Sequence, residues 1–573
     1  MHMTTPAELL QAADLPGRWQ GRPRFVLLAA GCDGAALLQA TLAAWRHDAL
    51  RCQWLHLVLL LPQGGMLHGM HAVPGMQRQL LEAGAITVDV LQGCTLREGL
   101  RALRLQADAL LLGGEWDRHL LRRLGQLAAP QAMLAAPAGV GMAEGLRAAG
   151  FQVKAGAPLL RACYAPRFQP RGDPAPASPA RPGDEVLVLG AGLAGAACAQ
   201  ALARAGLQVQ VLERHAQAAQ EASGNPGGLF HGIVNPQDGL HARFNRAAAL
   251  QAARLYRPLI EQGRVPGRID GLLRLQADGL DALAMQAQAD ALGLPAAYVK
   301  ALHAEAAAQA SGLPLRTPAW LYQEGGWLDP GAMVRWLLNQ PGITLHAGTA
   351  VHQLQRSADG AWQALDAAGC LLGQARHLVL CNAQDAMRLL PAAATPWPLE
   401  HQRGQLTLLP ADLPGLRRPL LPVAGGGYAL TLPDGSVLCG ATAQAGDTDG
   451  GLRATDEAAN LARYAALTGA VLPAPLQPLP GRTAFRLLAA DRLPVVGGVP
   501  QPGVLNDQPR RIARVPGLFV CTALGSRGIT WAPLVAQVLA AQVTGLPAPL
   551  EADLLDAIDP ARFAARQARK PAR

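Results

Sequence analysis

The chain has 573 residues, of which half are hydrophobic and 16% are charged. Since a domain usually has about 100–200 residues, this length excludes a single ordinary domain and predicts three or four units with sizeable cores. The formal net charge of +9 suits a polyanionic partner, although solubility alone also accounts for it.

Cysteine usage and hydropathy indicate a soluble protein of the cytoplasm. Nine cysteines are scattered along the chain without a CxxC pair, which argues against a disulfide framework and predicts no structural metal site. The strongest apolar stretch, residues 54–61, is far too short to span a bilayer. No basic region followed by a long apolar run opens the chain, so we expect neither a signal peptide nor a membrane partner. We expect a monomer.

Residues 1–165 alternate between short apolar runs and helical patterns. Helices are predicted at 34–45 and 117–128, and strands at 25–30, 55–61, 86–91, 109–112 and 132–136. This alternation is typical of a parallel α/β sheet, so we expect a Rossmann-like first domain. Residues 166–183 contain five prolines between positions 169 and 182, which predicts an extended interdomain linker.

The most informative motif follows this linker. An apolar run at 186–189 leads into Gly190-Ala-Gly192-Leu-Ala-Gly195, then a helical segment and a second apolar run that ends at Glu213. Gly190 permits the tight turn, Gly192 lets the backbone approach a pyrophosphate, and Gly195 lets the helix pack close to the sheet. The helix N-terminus would face the phosphates, and Glu213 a ribose hydroxyl. We predict a dinucleotide site; the alternative is a glycine-rich turn without a ligand.

Residues 184–573 are expected to form one domain around this motif. Further strands are predicted at 343–346, 377–381, 405–408, 428–431, 437–439 and 518–522. The last of these leads through Gly525-Ser-Arg-Gly528 into a predicted helix at 532–546. We therefore expect nucleotide-binding segments at about 184–260, 320–345 and 480–573. An inserted α+β substrate domain would occupy about 261–319 and 346–479.

Three stretches of this domain carry a family resemblance: Glu221-Ala-Ser223-Gly-Asn225-Pro-Gly-Gly228, Arg403-Gly-Gln405 and Gly525-Ser526-Arg527-Gly528-Ile-Thr-Trp-Ala-Pro533. They resemble the D-amino-acid-oxidase-like flavoproteins, which include glycine and sarcosine oxidases. More closely, they resemble the oxidoreductase half of the bifunctional tRNA 5-methylaminomethyl-2-thiouridine biosynthesis family. The resemblance covers residues 184–566 and implies an α/β FAD domain with an inserted substrate domain. The residues implied to hold FAD are Gly190, Gly192, Gly195, Glu213, Ser223, Asn225, Gly525, Ser526, Arg527 and Gly528.

The resemblance also implies a reaction. The family oxidises the N–CH2–COO⁻ arm of 5-carboxymethylaminomethyluridine, with or without the 2-thio group, at the wobble position of tRNA. Hydrolysis of the resulting imine releases glyoxylate and leaves the 5-aminomethyl base. An arginine is expected to hold the carboxylate, because a planar guanidinium binds it bidentately. Arg486 is the first choice, Arg403 is the second, and Tyr428 is expected to line the pocket. For each of these three residues, an ion pair or a core position is the alternative.

The first domain resembles the methyltransferase half of the same family, but three of its expected features differ. Cys32 and Asp33 lie in the loop after the first strand, where small or uncharged residues are expected. The second strand ends at Leu61-Pro62 without an acid. Gly113 occupies the aspartate position of the family's Leu-Asp-Gly motif. We therefore expect S-adenosylmethionine binding and methylation to be weak or lost.

Other readings remain open at this point. The second domain also suits a small-molecule amine or amino-acid oxidase, although such an enzyme needs no additional N-terminal domain. A non-catalytic tRNA-binding scaffold is a further alternative, which the complete set of FAD motifs argues against. The basic tail, residues 562–573, is either a solvated terminus or a phosphate-contacting segment. Trp531 is expected to pack in the core rather than to stack on a base.

Overall fold

The computed structural model describes residues 5–62, 67–154, 158–167, 178–276, 279–390, 397–473 and 478–569. The chain divides into a first unit, Met1–Ala175 with Leu546–Leu555, and a second unit, Pro176–Gly545 with Asp556–Arg573. The segment 546–555 was predicted in the second domain, so this boundary is corrected. Most of the predicted linker, residues 168–177, and the last four residues of the basic tail lie outside the described residues.

The first unit contains an α/β sheet. Its helices are α1 (Pro6–Ala12), α2 (Gly34–His47), α3 (Leu96–Ala102), α4 (Arg118–Gly125) and α5 (Met142–Ala148). Its strands are β1 (Arg24–Ala30), β2 (Trp54–Leu61), β3 (Gly75–Leu81), β4 (Ile86–Gln92), β5 (Ala107–Leu112), β6 (Ala128–Pro137), β7 (Phe151–Lys154) and β8 (Leu159–Tyr164).

The strand order of this sheet is β3-β4-β2-β1-β5-β6-β8-β7. Strands β4, β2, β1, β5 and β6 are parallel, whereas β3 and β8 pair antiparallel with their neighbours. β1 and β2 are buried almost throughout, as expected for strands covered on both faces. The strand order reverses at β1, so a ligand of this fold would lie beyond the ends of β1 and β5.

A buried ionic cluster holds the segment 546–555 in the first unit. Arg78 donates to both carboxylate oxygens of Asp89 at 2.7 and 2.6 Å, and His56 Nε2 lies 2.7 Å from the same carboxylate. Arg78 Nη2 also donates to the Pro547 carbonyl at 2.7 Å. Burial lowers the pKa of His56, and the charge of Arg78 lowers it further. Nothing in the sequence predicted that residues 546–555 would bind to the first unit, because Arg78 and Pro547 are 469 positions apart.

The second unit contains more elements. Its helices are α6 (Leu193–Arg204), α7 (Leu240–Glu261), α8 (Ala282–Ala291), α9 (Ala304–Ser311), α10 (Pro330–Leu338), α11 (Asp385–Leu389), α12 (Ala454–Thr468) and α13 (Gly528–Thr544). Its strands are β9 (Glu185–Leu189), β10 (Gln208–Leu212), β11 (Gly228–Phe230), β12 (Gly267–Arg268), β13 (Leu272–Leu275), β14 (Val299–Leu302), β15 (Ala319–Tyr322), β16 (Gly326–Leu328), β17 (Ile343–His346), β18 (Gln353–Arg356), β19 (Trp362–Leu365), β20 (Leu371–Ala375), β21 (His377–Leu380), β22 (Leu399–Leu409), β23 (Val423–Ala424), β24 (Tyr428–Thr431), β25 (Val437–Gly440), β26 (Gln444–Ala445), β27 (Gly481–Ala489), β28 (Val495–Pro500) and β29 (Arg514–Thr522). Helix α14 (Ala552–Ile558) begins in the first unit and ends in the second, where α15 (Arg562–Ala568) follows.

These strands form a nucleotide sheet, a substrate sheet and two smaller sheets. The nucleotide sheet has the order β17-β10-β9-β21-β29-β28, parallel except for β28. The substrate sheet has the order β14-β15-β13-β23-β24-β25-β22-β26, and β27 also pairs with β22. The smaller sheets are β11-β16-β12 and β18-β19-β20.

Three strands lie in a different sheet from the one predicted. β21 belongs to the nucleotide sheet, although residues 346–479 were assigned to the substrate domain. β15 and β27 belong to the substrate sheet, although residues 320–345 and 480–573 were assigned to the nucleotide fold. A short apolar strand has the same pattern in either sheet, and its membership depends on partners far away in sequence.

The described part of the basic tail has structural contacts. Arg562 is only 3% exposed and donates to both carboxylate oxygens of Asp491 at 2.8 and 2.9 Å. Arg566 pairs with the same carboxylate at 2.7 Å. These contacts correct the phosphate-contacting interpretation for these two residues. In the described part of the chain, no helix is long and apolar enough to cross a membrane.

Candidate active site

The glycine turn after β9 has the geometry that its sequence predicted. Gly190 has φ of +99°, a conformation that favours glycine, and Gly192 is the N-cap of α6. A Cβ at position 195 would lie 1.8 Å from the Gly190 carbonyl oxygen. Only glycine at 195 therefore lets α6 begin so close to β9, with its N-terminal amides at the carboxyl edge of the sheet.

Glu213 and Ser223 both contact this turn. The Glu213 carboxylate accepts hydrogen bonds from the Ala191 amide at 2.7 Å and the His215 amide at 2.9 Å. The Ser223 hydroxyl accepts from the Leu193 amide at 2.9 Å. Glu213 and Ser223, both predicted to contact the cofactor, therefore both bind backbone amides at the start of α6.

Two buried amide oxygens near the turn indicate a ligand rich in hydroxyl groups. The Asn225 and Asn382 side-chain oxygens are buried and have no hydrogen-bond partner among the described residues. Asn382 follows β21, and its backbone lies within about 3 Å of the Cβ position of Gly190. Such oxygens need donors, which the ribose or ribityl hydroxyls of FAD would supply. The donor and acceptor set of the turn therefore fits FAD.

The second glycine motif lines a pocket of about 290 Å³. Gly525, Ser526 and Arg527 form a 3₁₀ turn between β29 and α13, which begins at Gly528. They line the pocket together with His241, Leu488, Ala489, Arg492, Ala523 and Trp531. Burial, assisted by the nearby charge of Arg274, lowers the pKa of Arg527 to about 10. The pocket is therefore electropositive.

Strand β27 connects the two cofactor turns. At its start, Arg482 donates to the Glu221 carbonyl at 2.8 Å, beside the Ser223 loop. Near its end, Leu488 forms a β-bridge with Leu524, directly before the Gly525 turn. Alternate residues of a strand share a face, so Arg486 faces the same side as Arg482 and Leu488. This places Arg486 between the two turns.

The guanidinium of Arg486 has no carboxylate partner among the described residues. It makes only long contacts, 3.5 Å to the Gln402 side chain and 3.4 Å to the Thr442 carbonyl. Burial lowers the pKa of Arg486, and the neighbouring Tyr428 opposes this shift. Burial in turn raises the pKa of Tyr428, so its hydroxyl stays protonated at neutral pH and able to donate. These two predicted residues lie together.

Arg403 has a different position from the one predicted. Its side chain is fully buried and pairs with Asp456. It also donates to the Asp449 carbonyl at 2.6 Å and the Gly451 carbonyl at 2.5 Å. Because these partners occupy its donors, Arg403 is a structural residue of the substrate sheet and we withdraw it as a substrate ligand.

Two histidines of the second unit with lowered pKa values, His231 and His241, were not anticipated from the sequence. His231 is 7% exposed, and its ring centroid lies 5.2 Å from that of Tyr322. Burial, with the charges of Arg527 and Arg274, lowers the pKa of His231 to about 3. Burial and Arg527 also lower the pKa of His241, which lines the pocket. His231 follows a strand of three residues, and nothing in its local sequence indicates that the side chain is buried.

Trp531 is packed as predicted. It is 3% exposed, and its indole nitrogen donates to the Asn245 side chain at 2.8 Å. Its ring meets Phe244 edge to face at 5.5 Å. The residue therefore fixes α13 against α7 and supports the turn that carries Arg527.

In the first unit, the loops that follow β1 and β5 lie in contact. Gly31 and Gly113 touch, since a Cβ at either would lie about 2.5 Å from the carbonyl oxygen of the other. The Cys32 thiol lies 3.8 Å from the Leu111 carbonyl, and burial raises its pKa to about 12. Asp33 caps α2 by accepting from two backbone amides. In the described residues at the end of β2, no carboxylate is available for a ribose, so one expected contact to S-adenosylmethionine is missing.

Comparison with known proteins assigns the family. Residues 185–542 match the family described as FAD dependent oxidoreductase. The chain is 40% identical to the tRNA 5-methylaminomethyl-2-thiouridine biosynthesis bifunctional protein of Methylibium petroleiphilum, over 96% of this chain and 92% of that protein. The chain belongs to this bifunctional family. The protein of the same name from Paraburkholderia phytofirmans is 35% identical over 98% of this chain and 93% of its own length.

Solved structures agree with the fold. Glycine oxidase from Geobacillus kaustophilus superimposes with a TM-score of 0.52 at 20% identity, covering 66% of this chain and 98% of that one. Iminodiacetate oxidase from Chelativorans gives a TM-score of 0.51 at 24% identity, covering 65% and 98%. The predicted fold class, an FAD-dependent oxidoreductase fold of the D-amino-acid-oxidase type, is confirmed.

Proposed function

We propose that this FAD-dependent oxidoreductase removes the carboxymethyl group of 5-carboxymethylaminomethyl-(2-thio)uridine at the wobble position of tRNA. The products would be glyoxylate and the 5-aminomethyl base. One observation carries the proposal: Arg486 is a partly buried guanidinium without an ionic partner among the described residues, beside Tyr428 and between the two FAD turns. The names of the relatives, which are tRNA modification proteins, supply the substrate class.

The bound FAD would supply the two-electron acceptor for the C–H bond next to the substrate nitrogen. FAD would be held by the α6 amides with Gly190, Gly192 and Gly195, by Glu213, Ser223 and Asn225, and by the turn Gly525–Gly528. Arg486 would bind the carboxylate with two parallel N–H donors, while the Tyr428 hydroxyl donates a further hydrogen bond. These contacts hold the reacting carbon in one position, which is the main task left to the protein.

The pocket itself would keep the substrate amine neutral. Oxidation of the carbon requires the nitrogen lone pair, so the amine must lose its proton first. Burial and the charge of Arg527 lower the pKa of His241, which lines the pocket, and the same causes together with Arg274 lower the pKa of the buried His231. A substrate ammonium group bound near Arg527 would meet the same desolvation and positive charge and would release its proton to solvent. Water then adds to the imine carbon, and the C–N bond breaks to give glyoxylate and the primary amine.

Anaerobic bleaching of the flavin tests this function. Undermodified tRNA that carries the carboxymethylaminomethyl group should reduce the flavin much faster than free glycine or sarcosine at equal concentration. Equal rates with the free amino acids would instead support a small-molecule amine oxidase of the same fold.

We also propose that the first unit does not methylate. The close contact of Gly31 with Gly113, the buried thiol of Cys32 and the missing acid after β2 support this view. Calorimetric titration with S-adenosylmethionine should give no heat of binding at micromolar concentrations, and micromolar affinity would contradict it. We further propose that the chain acts as a monomer in the cytoplasm on the anticodon stem-loop. Size-exclusion chromatography with light scattering, and binding of an isolated stem-loop, would test the assembly and the RNA element.

A further inference from the structure

The first unit carries a basic groove that neither cofactor site uses. The groove lies between α3 and α4 and has a volume of about 280 Å³. Its lining contains four arginines, a histidine and no acid: Arg97, Leu100, Arg101, His119, Leu120, Arg122, Arg123 and Gln126. It lies on the outer helices and is distinct from the crevice at Gly31 and Gly113.

The arginines of this groove have two different roles. Arg123 fixes the two helices together, because its guanidinium donates to the carbonyls of Leu100 at 3.0 Å and Leu103 at 3.3 Å. Arg101 and Arg122 are exposed, and across the described residues neither has an ion pair or a side-chain hydrogen bond. Their charges are therefore available to a ligand.

The charge pattern of the helices is unfavourable without such a ligand. Arg97 and Arg101 are four residues apart on α3, and Arg118 and Arg122 are four apart on α4, so like charges face each other. The nearby acidic side chains neutralise little of this repulsion between arginines. Asp117 pairs with Arg97 at 3.3 Å with both side chains about half exposed, and Glu98 is engaged in the capping box with Thr95. The groove keeps a concentrated positive charge.

We propose that this α3–α4 groove binds the phosphodiester backbone of the substrate tRNA. Exposed arginines bind phosphate oxygens bidentately, and their long side chains adapt to a backbone path without reading sequence. On the floor of the groove, the half-buried Leu120 offers apolar surface to ribose. This assignment rests on the proposed function, because the proposed function identifies tRNA as the substrate. It gives the first unit a docking role that does not need a methyl donor.

Charge reversal in the flavin-loaded full-length protein tests the groove. The test variant is Arg101→Glu/Arg122→Glu. The control is Arg147→Glu/Arg161→Glu, which changes the net charge equally at two exposed arginines of the same unit, outside the groove. A fluorescent unmodified tRNA transcript is the probe, so turnover cannot interfere, and anisotropy is followed over a range of salt concentrations. Arg101→Lys/Arg122→Lys tests whether charge alone suffices.

The expected results follow from counterion release. Loss of two phosphate contacts should weaken binding at least ~30-fold near 0.1 M salt. It should also make the negative slope of log K against log salt shallower by about 2. The control variant should bind like the wild type, and the lysine variant should retain most affinity. Flavin reduction at saturating tRNA should keep its rate in the test variant, because the catalytic residues are untouched.

Three outcomes would overturn the proposal. Unchanged affinity and salt slope in the test variant would exclude the groove but leave the proposed function intact, as long as the wild type binds tRNA. Equal weakening in the control variant would show that net charge, not this groove, matters. Competition by polyglutamate as strong as that by RNA of equal charge would indicate an acidic protein partner. Failure of the wild type to bind any tRNA would instead contradict the proposed function itself.

Discussion

The guanidinium of Arg486 lies in the space that a side chain at Gly404 would occupy. A Cβ at position 404 would be 2.6 Å from Arg486 Nη2 and 2.9 Å from the Thr442 carbonyl oxygen. The two residues belong to the paired strands β27 and β22. The glycine of the Arg403-Gly-Gln405 motif is therefore required by an arginine 82 positions later, and this contact links two motifs that the sequence shows separately.

Gly404→Ala should displace Arg486 without disturbing the flavin. The methyl group cannot avoid the guanidinium by moving toward the Thr442 backbone, so Arg486 must shift. A displacement of about 1 Å at a positioning group costs on the order of 100-fold in rate. We expect kcat/KM with tRNA to fall by roughly that factor while the flavin-to-protein ratio is unchanged. Gly450→Ala is the control, because a Cβ there meets nothing within 4 Å.

Arg486→Gln should separate catalysis from stability. Removing a charged, bidentate partner of a carboxylate costs about 3 kcal/mol, so kcat/KM should fall on the order of 100-fold or more. Because Arg486 has no ion pair among the described residues, the melting temperature should change little. Steady-state kinetics and thermal unfolding of the same preparation measure both quantities. A stable, fully active variant would remove Arg486 from the site.

Arg403→Gln should have the opposite effect. It leaves the Asp456 carboxylate buried without its cation, which typically destabilises a fold by about 3–5 kcal/mol. Denaturant unfolding should show this loss. If the variant instead lost activity at full stability, Arg403 would return as a substrate ligand.

These two arginines show how far sequence reasoning reaches. The resemblance suggested both as substrate ligands. What separates them is a partner far along the chain: Asp456 lies 53 positions after Arg403 and neutralises it. The local glycine turn at Gly190–Gly195 was predictable because its chemistry is contained in ten residues and its flanking strands. The sheet membership of β27 was not, because strand pairing is non-local.

Glu213→Gln should weaken FAD binding. The carboxylate accepts from two backbone amides and keeps lone pairs for a ribose hydroxyl, whereas an amide offers one oxygen fewer. We expect the dissociation constant of FAD to rise by about tenfold, equivalent to one hydrogen bond to a charged group. Fluorescence titration of the deflavinated protein measures it. Glu185→Gln, an exposed residue at the start of β9, should bind FAD normally.

His231 should make the second unit sensitive to acid. Its pKa of about 3 in the folded protein lies below the 6.5 of an unperturbed histidine, so the unfolded chain takes up the proton first. The stability present above pH 6.5 is therefore lost as the pH falls toward 3. The melting temperature should drop between about pH 7.5 and about pH 5, and drop less in His231→Gln. The exposed His346→Gln should behave like the wild type; an identical drop in all three proteins would contradict the assignment.

Mass analysis of wobble nucleosides tests the central claim most directly. Undermodified tRNA that contains 5-carboxymethylaminomethyl-(2-thio)uridine is incubated with the flavin-loaded protein, S-adenosylmethionine and oxygen. We predict that the 5-aminomethyl nucleoside appears together with an equal amount of glyoxylate, that Arg486→Gln forms both on the order of 100-fold more slowly, and that no methylated product follows. Unchanged carboxymethylaminomethyl nucleoside after incubation with the flavin-loaded wild type would contradict the proposed function.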